Sequence, residues 1–259
     1  MDRERQKSAG SKVKKSLAII RLLMACCLAG ILVSGYYIVR QHREYETGND
    51  RYQSLRQIAR SAEKPPPSDQ AVYVSAIDFE SLREINGDIV AWLSSEGTVI
   101  DYPVVQGVDN AYYLDHLFTG ESNRLGTLFL DFRNRSFENR VSAIYGHNMR
   151  DKSMLTSIAG FVDQAYYEAH PVMTLYTPAA TYDVRLFAGV TVSGTSGDLR
   201  LSFSGDDDFL DYIRELEGRS TFTSSETVSL SDRILALVTC TYSFQNARFI
   251  LFGKLVKTD

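Results

Sequence analysis

Cysteine is scarce in this chain: of three in 259 residues, Cys26 and Cys27 sit in an N-terminal apolar stretch and only Cys240 lies beyond it. A domain with one cysteine forms no internal disulfide, and a free thiol outside the cell is open to oxidation, so Cys240 calls for a reason. Histidine is nearly as sparse. His42, His116, His147 and His170 show no His-x-x-x-His spacing and no second cysteine nearby, which argues against a zinc site. No metal or cofactor is expected. The sequence also lacks a phosphate-cradling glycine loop and a Gly-x-Ser-x-Gly elbow. It lacks a positive balance too: the formal net charge is −4, so nothing points to a nucleic-acid partner. Acidic pairs such as Asp206 and Asp207 read as charge at a helix start rather than as a glycosidase dyad.

The positive charge that is present is gathered at one end. Residues 1–21 carry Arg3, Arg5, Lys7, Lys12, Lys14, Lys15 and Arg21 against Asp2 and Glu4, which leaves the remainder acidic. Residues 22–39 then run for 18 positions without a charge, and a helix needs about 20 residues to cross a bilayer. Arg21 is placed to snorkel toward the inner headgroups, and Tyr36 and Tyr37 suit the outer interface. Basic residues on the N-terminal side put that end in the cytoplasm and the rest outside. The expectation is a single-pass plasma-membrane anchor with an extracellular domain. A cleaved signal peptide fits less well, because the run is long and its cleavage pattern poor. A lipoprotein signal at Leu23-Met-Ala-Cys26 fits less well again, because apolar residues continue far past the cysteine.

The pattern divides the chain into a basic tail (1–15), an anchor (16–39), a polar, helix-compatible stalk or linker (40–70) and a folded domain (71–259). Lys64-Pro-Pro-Pro67 within the stalk breaks any helix and reads as a stiff spacer. In the domain, residues 78–87 predict a short amphipathic helix capped by Asp78 and stopped by Gly87. Residues 89–93 predict a short helix or turn around Trp92, the only tryptophan. Strands are expected at 98–106, 126–132, 141–146, 172–177, 181–193, 226–230, 233–239 and 248–256, with helical insertions at 111–117, 154–168 and 206–217. Eight short strands with turn chemistry between them favour a mainly β fold, a closed barrel or a sandwich.

Three of the chemically useful side chains stand at strand ends. Arg233-Ile-Leu-Ala-Leu-Val-Thr-Cys240 is an apolar run ending in a thiol, and after a seven-residue connection Arg248 opens the returning strand. Ile144-Tyr-Gly-His147-Asn-Met149 is a third run, ending on an imidazole. A cysteine nucleophile needs a thiolate, favoured by a nearby imidazole or guanidinium. Amide cleavage needs a proton donor for the departing amine, and histidine fits that role. An oxyanion partner is also required, for which Arg248 and the backbone N–H of Thr241 are the candidates. The remaining histidines compete poorly: His42 lies in the stalk, His116 beside Asp115 in a helix-like segment, and His170 before Pro171 in a turn.

These segments resemble a known family. Leu237-Val-Thr-Cys240 is similar to the Leu-x-Thr-Cys signature of sortases, with Arg248 at the position of their arginine and His147 in their Tyr-Gly-His-Asn setting. Asn86-Gly-Asp-Ile-Val-Ala-Trp92, Ile100-Asp-Tyr-Pro-Val-Val-Gln106, Gly126-Thr-Leu-Phe-Leu-Asp131 and the helix ahead of the last strands resemble class B sortases in particular. The likeness covers residues 75–257. It implies a closed eight-stranded barrel carrying a membrane-anchored cysteine transpeptidase of Gram-positive-type bacteria that needs no cofactor. It further implies that Cys240 attacks a threonine carbonyl in a C-terminal sorting signal of a surface protein. His147 would protonate the leaving amine, and Arg248 would hold substrate and oxyanion. An amine of a lipid-linked peptidoglycan precursor would resolve the thioacyl intermediate. Thr239 and Thr241, which flank the thiol, are taken as oxyanion or substrate-binding positions. Two departures stand out: Ala236 replaces the threonine that often opens the signature, and Thr241 occupies a position where some relatives carry an acid. A pilin-polymerising sortase is the nearest alternative, disfavoured by the lack of an Asp-Pro-Phe/Trp lid motif. A catalytically silent tethered binding module is the other.

Overall fold

A computed structural model describes residues 2–61, 73–194, 197–241, 243 and 245–258, without the side chains of residues 2–20 and 22. The proline spacer at 64–67 lies outside the described residues. The chain divides into two units, Met1–Glu46 and Thr47–Asp259. The first is helical, part of α1 (Asp2–Ala59), and its described apolar side chains between Leu23 and Val39, among them Leu28, Ile31, Leu32 and Ile38, are exposed. By length and composition this helix is sufficient to cross a membrane.

In the second unit eight strands close a barrel in the order β1-β2-β3-β4-β7-β8-β6-β5, with β1 pairing β5 to seal it. They are β1 (Ile89–Ser94), β2 (Asp101–Val105), β3 (Leu128–Leu130), β4 (Val141–Tyr145), β5 (Val172–Tyr176), β6 (Thr181–Ser193), β7 (Arg233–Cys240) and β8 (Ala247–Lys257). Two neighbouring pairs, β2–β3 and β4–β7, are parallel, and the rest are antiparallel.

The total of eight agrees with the sequence reading, but two assignments exchange places. Residues 89–93 form a strand rather than a helix or turn, because an apolar run this short gains more by pairing on both sides, with β2 and β5. Trp92 is fully buried there and its indole N–H donates to Asp101 Oδ1 at 2.8 Å. Residues 226–230 form no strand. They hold to β8 through side chains instead, Lys254 pairing with Glu226 and donating to the Thr227 carbonyl. The short helix is α2 (Phe79–Ile85), capped as expected by Asp78, whose carboxylate accepts from Ser81 N; its C-cap is Asn86 rather than Gly87. The insertion at 154–168 splits into a 3-10 helix, Thr156–Val162, and α3 (Gln164–Ala169), whereas α4 (Asp206–Arg219) is continuous.

The largest departure concerns the stalk. Gly48, Tyr52, Leu55 and Ala59 are all buried, and their spacing puts them on one helical face. The folded unit therefore begins near Thr47 rather than at residue 71.

Alternation along the strands sorts side chains to two faces. Ile234, Ala236 and Val238 of β7, Ile250 and Phe252 of β8, and Val141 and Ala143 of β4 pack outward against Phe209, Tyr212, Ile213 and Leu216 of α4. Leu235, Leu237 and Thr239 alternate with them and point into the barrel. The outward parity is the one that leads to the site.

Candidate active site

Cys240 is the next outward position after Val238, just beyond the cluster that α4 covers, and it is exposed. Register places Arg248 directly opposite it on β8. Residues so paired have Cβ atoms about 4.5–5.5 Å apart on one face. On the other side, β4 runs parallel to β7 with Tyr145 beside Val238, and His147 follows two residues after the end of β4. The ladder is still held at that point, because Gly146 N donates to the Val238 carbonyl at 3.1 Å. Imidazole, thiol and guanidinium thus gather where three neighbouring strands, β4, β7 and β8, end or begin. They line one cleft of about 240 Å³, with Asn110, Leu114, Phe129, Tyr145, Gly146, Val238 and Thr239.

One hydrogen bond holds the imidazole, and others hold the loop that carries it. Its Nε2 lies 2.6 Å from the Leu114 carbonyl. A carbonyl only accepts, so Nε2 carries the proton and Nδ1 is the ring nitrogen left to exchange one. The backbone of His147 accepts from Leu155 N at 3.0 Å. The next side chain, Asn148, donates to the Cys240 carbonyl at 2.9 Å and ties the histidine loop to the end of β7.

The two flanking threonines already have hydrogen-bond partners of their own. Thr239 is buried at 2 % exposure and lines the cleft, and its hydroxyl donates to the Gly146 carbonyl at 2.7 Å, fastening β7 to the histidine loop. The Thr241 N–H is already donated to the Ala247 carbonyl at 2.9 Å, part of the turn into β8. It is not free to receive an oxyanion, which leaves Arg248 as the donor among the expected residues.

Sequence reading missed the network beside the cleft. Asp131 is fully buried and takes a two-point contact from Arg133, at 2.8 and 2.7 Å. Asn110 Nδ2 and the Tyr145 hydroxyl also donate to it, each at 3.0 Å. Burial alone would push the Asp131 carboxyl up, but these bonds outweigh it and hold it below the usual carboxylate range. Burial, with Asp131 alongside, pushes the Tyr145 phenol up to about 12, so it remains a donor. Arg133 occupies the carboxylate, and no acid pairs with Arg248 among the described residues. The guanidinium has its room from Gly194, where an added Cβ would stand 2.9 Å from Arg248 Nε. A sequence signal for this network was present in Asp131-Phe-Arg133, a carboxylate and guanidinium two residues apart, but their joint fold-back on Asn110 and Tyr145 is not periodic. The other histidines stay outside the cleft: His116 stacks on Tyr112 and bonds Asp115, and His170 bonds the Glu96 carbonyl.

No family model matches the chain. Individual relatives do. Sortase B of Staphylococcus aureus is 30 % identical over 256 residues, covering 96 % of this chain and all of that protein. Sortase B of Listeria monocytogenes is 35 % identical over 182 residues, 69 % of this chain and 74 % of that one. Among solved structures, the Staphylococcus aureus sortase B–substrate complex matches with a TM-score of 0.73 at 29 % identity, over 84 % of this chain and the whole of that one. The likeness extends from end to end and through the barrel that carries the thiol, and this chain therefore belongs to the class B sortases, cysteine transpeptidases that anchor surface proteins.

Proposed function

We propose that Cys240 is the nucleophile, His147 the general acid and base, and Arg248 the oxyanion and substrate donor of a membrane-anchored sortase. The observation that carries this is that His147, just after β4, and Cys240 and Arg248, paired across β7 and β8, line a single cleft. In the first half-reaction the Cys240 thiolate attacks the threonine carbonyl of a C-terminal sorting signal. The C–S bond forms, Arg248 receives the oxyanion, and the C–N bond breaks as His147 gives its Nδ1 proton to the departing amine. In the second half, His147 takes a proton from an incoming amine. That amine attacks the thioester carbonyl, a new amide forms, and the thiolate leaves. The balance is one amide exchanged for another, with no water consumed.

The acceptor in this reading is the amine of a lipid-linked peptidoglycan precursor, and the donors are surface proteins bearing the signal. The basic N-terminus followed by an exposed apolar helix supports a cytoplasmic tail, a single crossing and an extracellular barrel. Residues 1–15 would be the tail and 16–39 the anchor, with the folded unit starting close to Thr47.

The test uses the full-length protein in detergent micelles with a pool of sorting-signal peptides, with and without an amine acceptor. Intact mass should show a thioacyl adduct on Cys240 that the acceptor converts to a ligated product, and Cys240→Ala should show neither. Release of free acid alone, with acceptor in excess, would instead indicate a hydrolase. A folded protein that forms no adduct with any peptide would overturn the reading.

A further inference from the structure

Both loops that hold His147 lean on the part of α1 that belongs to the barrel unit. Tyr52, at 1 % exposure, is the residue where they meet. Its hydroxyl donates to the Gly126 carbonyl and lies 3.1 Å from Thr127 Oγ1, which itself donates to the His116 carbonyl. Gly126 has φ +60° and packs so closely that an added Cβ would stand 2.6 Å from the Tyr113 carbonyl oxygen and 2.7 Å from that of Leu114. Thr127 N completes the clamp by donating to the Tyr113 carbonyl at 2.9 Å. The neighbouring carbonyl, that of Leu114, is packed against the same Gly126 turn and is the one that receives His147 Nε2. On the other side the Tyr52 ring meets Tyr102 edge to face at 5.1 Å. The Tyr102 hydroxyl accepts from Met154 N at 3.2 Å, and the next residue, Leu155, donates to the His147 carbonyl.

We infer that Tyr52 is a positioning residue for His147, holding the Gly126 turn and with it the Leu114 carbonyl that fixes the imidazole in its Nε2–H form. This rests on the reading of His147 and Cys240 as the reacting pair. Tyr52 touches no reacting atom. It stands where the third group of a nucleophile–base–orienter chain would be braced, with a backbone carbonyl as the orienter.

The experiment uses the full-length protein in micelles, labelled with ¹⁵N-histidine, with the His147 signals assigned by their loss in His147→Ala. In parallel, alkylation of Cys240 by iodoacetamide is followed across pH and resolved by peptide from Cys26 and Cys27. In the wild type the neutral His147 ring should show one protonated nitrogen, Nε2. Tyr52→Phe, which keeps the ring and removes only the hydroxyl, should mix the two tautomers. It should also slow Cys240 alkylation at neutral pH by about two- to tenfold, the range set by one net hydrogen bond. A wild-type ring protonated at Nδ1 overturns the inference without any variant. So does a folded Tyr52→Phe protein that is less stable but matches wild type in ring shifts and alkylation. If His147→Ala itself leaves Cys240 alkylation unchanged, the reacting pair fails; if it slows alkylation and Tyr52→Phe does not, only the role of Tyr52 fails.

Discussion

Asp131 shows how much a single side chain beside the cleft can govern. It has no solvent exposure, yet it stays charged because Arg133, Asn110 and Tyr145 all donate to it. Its folded pKa lies below the ordinary value of 3.8, so protonation is easier in the unfolded chain than in the native one. The sign follows from linkage: its contribution is complete above the unfolded value and is lost as pH falls through 3.8 toward the lower folded value. Asp131→Asn should therefore destabilise the protein at neutral pH. Urea melts repeated at falling pH should show the difference between wild type and variant shrinking once the pH drops below about 4. A difference that stays constant down to acid would mean that Asp131 is not held ionised by this network. At this scale the sequence was informative about chemistry and silent about orientation. His147, Cys240 and Arg248 were each legible because each ends or opens an apolar run. Thr239 was legible as a neighbour of the thiol, but not as an inward-facing fastener, since one step along a strand reverses the face.

Among elements, α4 matters most to the site, because it covers the outer sheet face whose next positions are Cys240 and Arg248. Its three leading acids, Asp206, Asp207 and Asp208, lie in the first turn where the helix dipole favours them. Asp208 does more than that: Arg200 at 2.7 Å, together with Ser204, holds its carboxyl down at about 2 and ties the preceding loop to the helix. Phe209 is fully buried in the cluster. Phe209→Ala should cost about 3–5 kcal/mol, typical of emptying a buried aromatic site. Denaturant unfolding measures it, and a loss below about 1 kcal/mol would mean the cluster refills the cavity. Alkylation of Cys240 in the folded fraction should be unchanged, since no atom of Phe209 reaches the cleft. This helix was readable in advance because Phe209, Tyr212, Ile213 and Leu216 repeat at helical spacing. The elements that were misread carry no such repeat. Residues 89–93 are an apolar run too short for periodicity to separate helix from strand. Residues 226–230 alternate like a strand, and Val228 does lean on the cluster, but side-chain contacts with Lys254 replace the backbone ladder.

For the whole molecule the decisive question is where the catalytic unit begins. Composition suggested residue 71, because the stretch before it is polar and ends in three prolines. The buried face of that stretch is nevertheless regular: Gly48, Tyr52, Leu55 and Ala59 follow at intervals of four, three and four. It escaped notice because two of its four members are Gly and Ala, which add little hydrophobicity while allowing close approach. Gly48 sits so near Leu125 that an added Cβ would stand 3.0 Å from its Cδ2. Outside that stripe the segment is fixed by charge: Arg51 pairs with Glu121, and Arg60 with Asp101 at 2.8 Å. A fragment starting at residue 71 would uncover the sites of all four buried residues, and Leu55 alone represents about 1.5–3 kcal/mol of burial. It should unfold at lower temperature than a fragment starting at Thr47. The loss should also reach chemistry, because Tyr52 goes with the helix and the Gly126 turn packed on the Leu114 carbonyl loses its tyrosine bond. Thermal melts of the two fragments test the first expectation, and Cys240 alkylation at a temperature where both are folded tests the second. Equal melting would make the helix a passive tether. Unequal melting with equal alkylation would make it part of the fold but not of the site. If both differ, the segment that follows the apolar helix is also the segment that aims the histidine.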